Sequence, residues 1–202
     1  MNNYNYPKVS FGSTIHISKL AYAREIVKNL KWPNIDAPWT IYDAKYFKAG
    51  YSENASYCTM GVIKNEFGDG FMFHLRPGSS KLDKIFKSLQ LAAQNLKYGK
   101  PLTGILVGGN ANYKPSTELY NNLQSIFNEL NIKYSALLGQ NEKNCITPRP
   151  PYCNLFFNGP LDKYVICPQS TIPKKTKSSK LKELYELFDT IIINKNDNLK
   201  LD

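Results

Sequence analysis

From Tyr57 to Leu75 the sequence runs Y-C-T-M-G-V-I-K, then N-E-F-G-D-G, then F-M-F-H-L. Two apolar, β-branched and aromatic runs on either side of an Asp-Gly turn read as a β-hairpin, because Asp-Gly accepts the backbone twist that a tight antiparallel connection needs. Side chains alternate along a strand. Phe71, Phe73 and Leu75 therefore share one face of the returning strand, and Met72 and His74 share the other. With the section that follows it, the hairpin gives layers of helix against sheet.

The sequence downstream supplies one of those layers. Pro77-Gly78-Ser79-Ser80 stops the strand, and Leu82, Ile85, Phe86, Leu89, Ala93 and Leu96 then recur at helical spacing up to Gly99 and Pro101. Thr103 to Val107 reads as a buried strand leading into Gly108-Gly109. Ser116 is placed to cap a second helix with Leu119, Leu123, Ile126, Phe127 and Leu130 on its apolar face, and Ile132 to Leu138 reads as the next strand before Gly139. Cys145 to Tyr152 is broken by prolines. Cys153 to Phe157, the turn at Asn158-Gly159, and Tyr164 to Cys167 form a closing hairpin.

Upstream, Val9 to Phe11 and Ile15 to Ile17 read as short strands around Gly12-Ser13. Ser18 caps a helix from about Lys19 to Leu30, and His16 points away from the face of Ile15 and Ile17. Trp32, Pro33 and Pro38 mark an irregular connection, and Trp39 to Phe47 reads as a strand. Beyond Pro168 the composition shifts to a basic linker (Lys174, Lys175, Lys177, Lys180, Lys182), a helix with Leu181, Leu184, Leu187 and Phe188, and a short strand at 191–193. These elements predict an α/β (α+β) fold, a central β-sandwich-like mixed sheet flanked by helices. They divide into a domain over 1–170 and, packed on it, a basic linker and C-terminal helix over 171–202.

A chain of 202 residues can bury a substantial core, and its formal net charge of +10 favours acidic partners, nucleic acid or anionic surfaces without bearing on fold. The opening M-N-N-Y-N-Y-P-K lacks the apolar core of a cleaved signal, and no run has the length of a membrane span. Cytoplasmic synthesis with reduced thiols follows as the expectation. Cys58, Cys145, Cys153 and Cys167 form no C-x-x-C pair and no zinc-ligand spacing. Gly108-Gly109 belongs to neither a G-x-G-x-x-G nor a G-K-[ST] motif, so a tight strand exit is favoured over a phosphate loop. Gln140, Asn141 and Asn144 suit a cleft or a solvated loop equally well. The lysines of the tail are not interleaved with aromatic residues, which disfavours a nucleic-acid arm.

Cys58 and His74 carry the chemistry. A lone cysteine in apolar surroundings is most often an inert small hydrophobe. A pairing of the two strands would bring thiol and imidazole to one end of one sheet, where the imidazole can stabilise a thiolate and later protonate a leaving group.

The order of parts resembles the chemoreceptor glutamine deamidases, which share a Cys-His catalytic core with the cytotoxic necrotizing factor-type and lethal-factor-type deamidase toxins. The resemblance spans roughly residues 50 to 167. It rests on A-S-Y-C at 55–58, F-M-F-H-L-R-P at 71–77, T-G-I-L-V-G-G-N-A at 103–111, Y-S-A-L-L-G-Q at 134–140 and C-N-L-F-F-N-G-P-L-D-K-Y-V-I at 153–166. Two departures stand out. Tyr57 replaces a small residue before the cysteine, and Ser52 occupies the place of a threonine six positions before it. The resemblance implies a protein glutamine deamidase and a bacterial toxin or virulence effector, secreted into a host cell cytosol. It implies Cys58 as nucleophile, held as a thiolate by His74, His74 as acid and base, and Ser52 as a hydroxyl placed to orient the imidazole, a task that a backbone carbonyl performs in some relatives. Backbone N–H groups near Cys58 would hold the oxyanion, and neither metal nor organic cofactor is required. Its partner would be a host protein carrying a reactive glutamine, and transfer to an amine is the variant reaction. The residues themselves leave two alternatives: a basic binding module for nucleic acid or an acidic protein, and a cysteine hydrolase with another acyl substrate.

Overall fold

The computed structural model describes residues 14–17, 27–28, 30–35, 42–78, 82–96, 101–138 and 153–166. In chain order these form β1 (Thr14–Ile17), β2 (Tyr42–Phe47), β3 (Ala49–Ala55), β4 (Thr59–Lys64), β5 (Gly70–Leu75), α1 (Leu82–Leu96), β6 (Thr103–Gly108), α2 (Lys114–Glu129), β7 (Lys133–Leu138), β8 (Cys153–Asn158) and β9 (Lys163–Ile166). The strands make a five-stranded sheet in the order β2-β5-β4-β6-β7 and a four-stranded sheet in the order β1-β9-β8-β3. The fold is α+β, with both sheets mixed.

The hairpin is the centre of the larger sheet. Thr59 faces Leu75 and Lys64 faces Gly70 across the β4–β5 ladder, with Asn65 to Asp69 as its turn. Asn65 Oδ1 accepts from the N–H of Phe67 and of Asp69, which closes that turn from within. β6 lies antiparallel on the other side of β4, and β7 lies parallel to β6. A parallel neighbour needs a crossover, and α2 provides it.

The alternation predicted for β5 is observed. Phe71, Phe73 and Leu75 pack with Ile85, Leu89 and Leu96 of α1 and with Leu123 and Phe127 of α2. Met72 faces the other way, into a second core shared with Met60, Val62, Ile105 and Val107 and with Leu155, Phe157, Tyr164 and Ile166 of the smaller sheet. The molecule is thus layered as helices, five-stranded sheet, four-stranded sheet.

Several sequence expectations shift. The strand expected from Tyr57 begins at Thr59, because Ser56 and Tyr57 form a bend that leads into it through Cys58. The helix expected to be capped by Ser116 starts three residues earlier, with Tyr113 at its N-cap position and Pro115 in its first turn. β3 has no counterpart among the expected strands: Gly50, Ser52, Glu53 and Asn54 are weak strand formers, held in the sheet by the partner strand β8. The strand at Val9 to Phe11, most of the helix at Lys19 to Leu30, the Gln140, Asn141 and Asn144 loop, Cys145, Cys167 and everything after Ile166 lie outside the described residues.

One end of the sandwich is closed by backbone contact. The turn of β4–β5 meets the turn of β8–β9, where a Cβ built on Gly159 would overlap the carbonyl of Gly68 and stand 2.8 Å from that of Lys48. Gly159 N–H donates to Lys48 at 2.7 Å, and Lys64 pairs with Asp162 at 2.6 Å beside them. Gly159→Ala must force these turns apart, since both opposing atoms are backbone. It is expected to lower stability by about 1–3 kcal/mol. Urea unfolding would read this as a lower midpoint at unchanged slope, and an unchanged midpoint would contradict the close approach.

Candidate active site

The opposite end of the sandwich holds the three residues singled out in the sequence. In the β4–β5 register His74 stands directly across from Met60. Cys58 is two residues before Met60, so it is the diagonal neighbour of His74 on the same face of the sheet. That face is the one turned toward the smaller sheet: Met60 and Met72 belong to the core between the sheets, and Cys58 packs against it. His74 is buried and Cys58 is half-buried. On the other flank of β5, Asp43 of β2 occupies the register position opposite His74.

Ser52 comes from the other sheet. It pairs with the inward-facing Leu155 across the β3–β8 ladder and is fully buried. Its hydroxyl lies 2.9 Å from His74 Nδ1 and donates to the carbonyl of Ile35. These two bonds settle the ring's tautomer by counting protons. A hydroxyl has one hydrogen and a carbonyl can only accept, so the Ser52 proton goes to Ile35 and Oγ must accept from Nδ1–H. In the neutral imidazole the lone pair then sits on Nε2, the atom a general base uses.

A β-bulge makes this geometry available. Three residue steps separate Ser52 from Ala55, against two between their partners Leu155 and Cys153. In a regular strand, three steps would put Ser52 and Ala55 on opposite faces, and the bulge absorbs one of them. With it, both face the core between the sheets. Asn54 absorbs the distortion at φ 63, a conformation asparagine tolerates, and its N–H donates to Asn154 Oδ1 at 3.0 Å.

The segment bearing Cys58 is tied to the exit of β6. Gly109 N–H donates to the Cys58 carbonyl at 2.8 Å. Ser116 Oγ donates to the Tyr57 carbonyl at 2.6 Å and accepts from Asn110 N–H at 2.8 Å. Ser116 thus braces the cysteine segment in place of capping its helix. Gly108 has φ 104, and a Cβ there would come 2.6 Å from the Cys58 carbonyl, so the Gly108-Gly109 exit is what lets the two segments touch.

Burial pushes the Cys58 thiol above its ordinary value of 9.0, and the Arg76 guanidinium acts in the opposite direction. Of the two causes burial is the larger, so the net displacement of the thiol is upward. Cys153, across from Ala55, is pushed up to about 12 by burial, against a lowering contribution from the Asn154 N–H. Its sulfur is a structural thiol. Among the described residues no group of three His, Cys, Asp or Glu side chains is placed to hold a metal ion. No helix among them is long and apolar enough to cross a membrane.

The sequence singles out Cys58, His74 and Ser52, which lie at one end of the sandwich, but not the Ile35 carbonyl, which no side-chain pattern can announce. It also leaves out Arg76, although continuing the period of two past His74 puts it on the same face. No protein-family profile matches this chain, and no curated protein does.

Two outcomes follow from the thiols. The rate of Cys58 alkylation by iodoacetamide should keep rising as pH passes 9.0, and Arg76→Gln should displace the profile to higher pH. Peptide mapping of labelled Cys58 reads both, and a plateau below pH 8 would contradict the upward shift. Cys153 keeps its proton in the folded state up to about 12, while the unfolded chain loses it near 9.0. The unfolded state binds fewer protons in that window, so this contribution to stability is present below pH 9 and is lost as pH rises to 12. The slope is about 1.4 kcal/mol per pH unit. Urea midpoints should fall less steeply over that window in Cys153→Ala.

Proposed function

We propose that this chain is a cysteine-dependent protein glutamine deamidase. The observation that carries the reading is the bond between sheets from His74 Nδ1–H to Ser52, backed by the Ile35 carbonyl, with Cys58 as the diagonal neighbour of His74 on the same buried face. An orienting acceptor on one imidazole nitrogen and a thiol on the same side of the sheet are the parts of a Cys-His nucleophile–base pair. The resemblance in the order of parts adds the substrate type, and with it the reading of the protein as a toxin or effector acting on a host protein.

In this mechanism Cys58 Sγ attacks the side-chain carboxamide carbon of a glutamine while its proton passes to His74 Nε2. A thiol raised by burial suits that order, since ionisation then accompanies attack. The tetrahedral oxyanion takes backbone N–H groups of the cysteine segment, because the amides of Gly109 and Asn110 are already engaged. His74 returns the proton to the departing nitrogen, and ammonia leaves a thioester. His74 then takes a proton from water as its oxygen attacks the acyl carbon, and the proton goes back to the leaving sulfur. The product is glutamate, and Ser52 holds the ring throughout.

The test is mass mapping of lysate proteins after incubation with wild type or variants. Conversion of glutamine to glutamate adds about one dalton, as expected for hydrolysis of a side-chain acyl-enzyme. A site modified by wild type and by neither Cys58→Ser nor His74→Ala supports the reading. Ser52→Ala should retain activity lowered about 10–100-fold, because the base remains but its tautomer and orientation are no longer held. Absence of any Cys58-dependent modification, with ammonia release also absent, would overturn the reading.

A further inference from the structure

Cys58 sits at the edge of the sandwich between two unlike neighbours. β4 lies between β5 and β6. On the β5 side the ladder ends at Thr59 and Leu75, and one further step of that register sets Cys58 opposite Arg76, an exposed cation that acts on its thiol. On the β6 side the chain leaves Gly108 and turns through Asn110 into Tyr113, where α2 begins. Tyr113 meets Tyr57 edge to face, with ring centroids 4.9 Å apart. The two rings are 43% and 37% exposed, although Tyr57 adjoins the half-buried Cys58.

This pair differs from the other large apolar side chains that reach solvent among the described residues. Phe67 lies on the hairpin turn at the far end of the sandwich, and Leu82 and Leu91 lie on α1. Tyr57 directly precedes the candidate nucleophile in the chain, and Tyr113 packs on Tyr57. Their backbones are fixed there, since Ser116 Oγ holds the Tyr57 carbonyl and Tyr113 N–H donates to Asn110 at 3.1 Å. Rings held in place beside a site offer contact area at little cost in side-chain entropy. A guanidinium on the opposite flank offers a planar partner for a carboxylate. The net charge of +10 favours an acidic partner over the same surface.

We propose that these two flanks select the target of the reaction. Tyr57 and Tyr113 seat an apolar side chain on one side of the glutamine, and Arg76 faces a carboxylate on the other. The substrate is then an acidic protein segment in which glutamine stands between an acidic and an apolar neighbour, lying across the ends of β5, β4 and β6. This rests on the deamidase reading for its glutamine. The selection itself is a property of the mouth and can be tested separately.

The test compares Cys58 alkylation by iodoacetamide, by the anionic iodoacetate and by the aromatic iodoacetanilide. Each rate is divided by that for N-acetylcysteine amide. Iodoacetate should be favoured over iodoacetamide roughly threefold, the factor for unit charges about 6 Å apart in water, and Arg76→Gln should remove the preference. Iodoacetanilide should be favoured by a similar factor, lost in Tyr113→Ala. Ratios equal to those of the reference thiol, or unmoved by the substitutions, overturn the proposal. So does a Cys58 that none of the reagents reaches, since that mouth would exclude a glutamine. A single-stranded oligothymidylate that protects Cys58 better than the peptide acetyl-Ala-Glu-Gln-Leu-Ala-amide overturns it in favour of nucleic acid. Ammonia release from that peptide, compared with its Lys-Gln-Gly counterpart, reads the deamidase reaction. Silence there with the alkylation preferences intact would count against the reaction and leave the selective mouth standing.

Discussion

A buried imidazole has to be hydrogen-bonded, and in this protein the bond that holds His74 crosses from one sheet to the other. The ring belongs to the five-stranded sheet and its acceptor, Ser52, to the four-stranded one. Ser52 is held in turn by the carbonyl of Ile35, whose own N–H donates to Tyr51 beside it on β3. Losing any of these partners would leave a polar group buried in an apolar layer, at about 1–3 kcal/mol each. The same chain of bonds that keeps the sandwich aligned at this end sets the proton inventory of the histidine.

The far end is aligned by a different means. There two turns touch through glycine backbone at Gly68 and Gly159, and the buried Lys64 ammonium meets Asp162. A packed interior does not deform continuously, so two sheets fixed at both ends keep their separation along the strands between. That spacing is what the reach from Ser52 to His74 requires. The contacts at the far end therefore belong to the construction of the site, although they lie a strand's length away from it.

Placement also governs reactivity. Cys58 enters the core between the sheets only partly, which raises the thiol, and stands opposite Arg76, which draws it back. A thiol raised by burial is less exposed to oxidation than a standing thiolate. Cys153, half-buried against the same core, is pushed up to about 12 and has no cation among the causes of its shift. Two half-buried cysteines on one core thus differ because one has a guanidinium acting on it.

Local elements and their faces are legible in the residues alone. Asp69-Gly70 places the hairpin, and a period of two puts Phe71, Phe73 and Leu75 toward the helices and Met72 and His74 toward the other sheet. Helical spacing places the apolar stripes of α1 and α2. These are short-range properties, set by neighbours within a turn or two. Long-range packing alone decides the order of strands, the parallel pairing of β1 with β9, and the strand β3, whose residues favour no strand until β8 lies beside them. It also decides that a bulge at Asn54 turns Ser52 inward, that Ser116 braces the Tyr57 carbonyl, and that a carbonyl at Ile35 fixes the proton on His74. Each joins residues far apart in the chain through backbone groups that every residue carries, so no side-chain pattern could announce them.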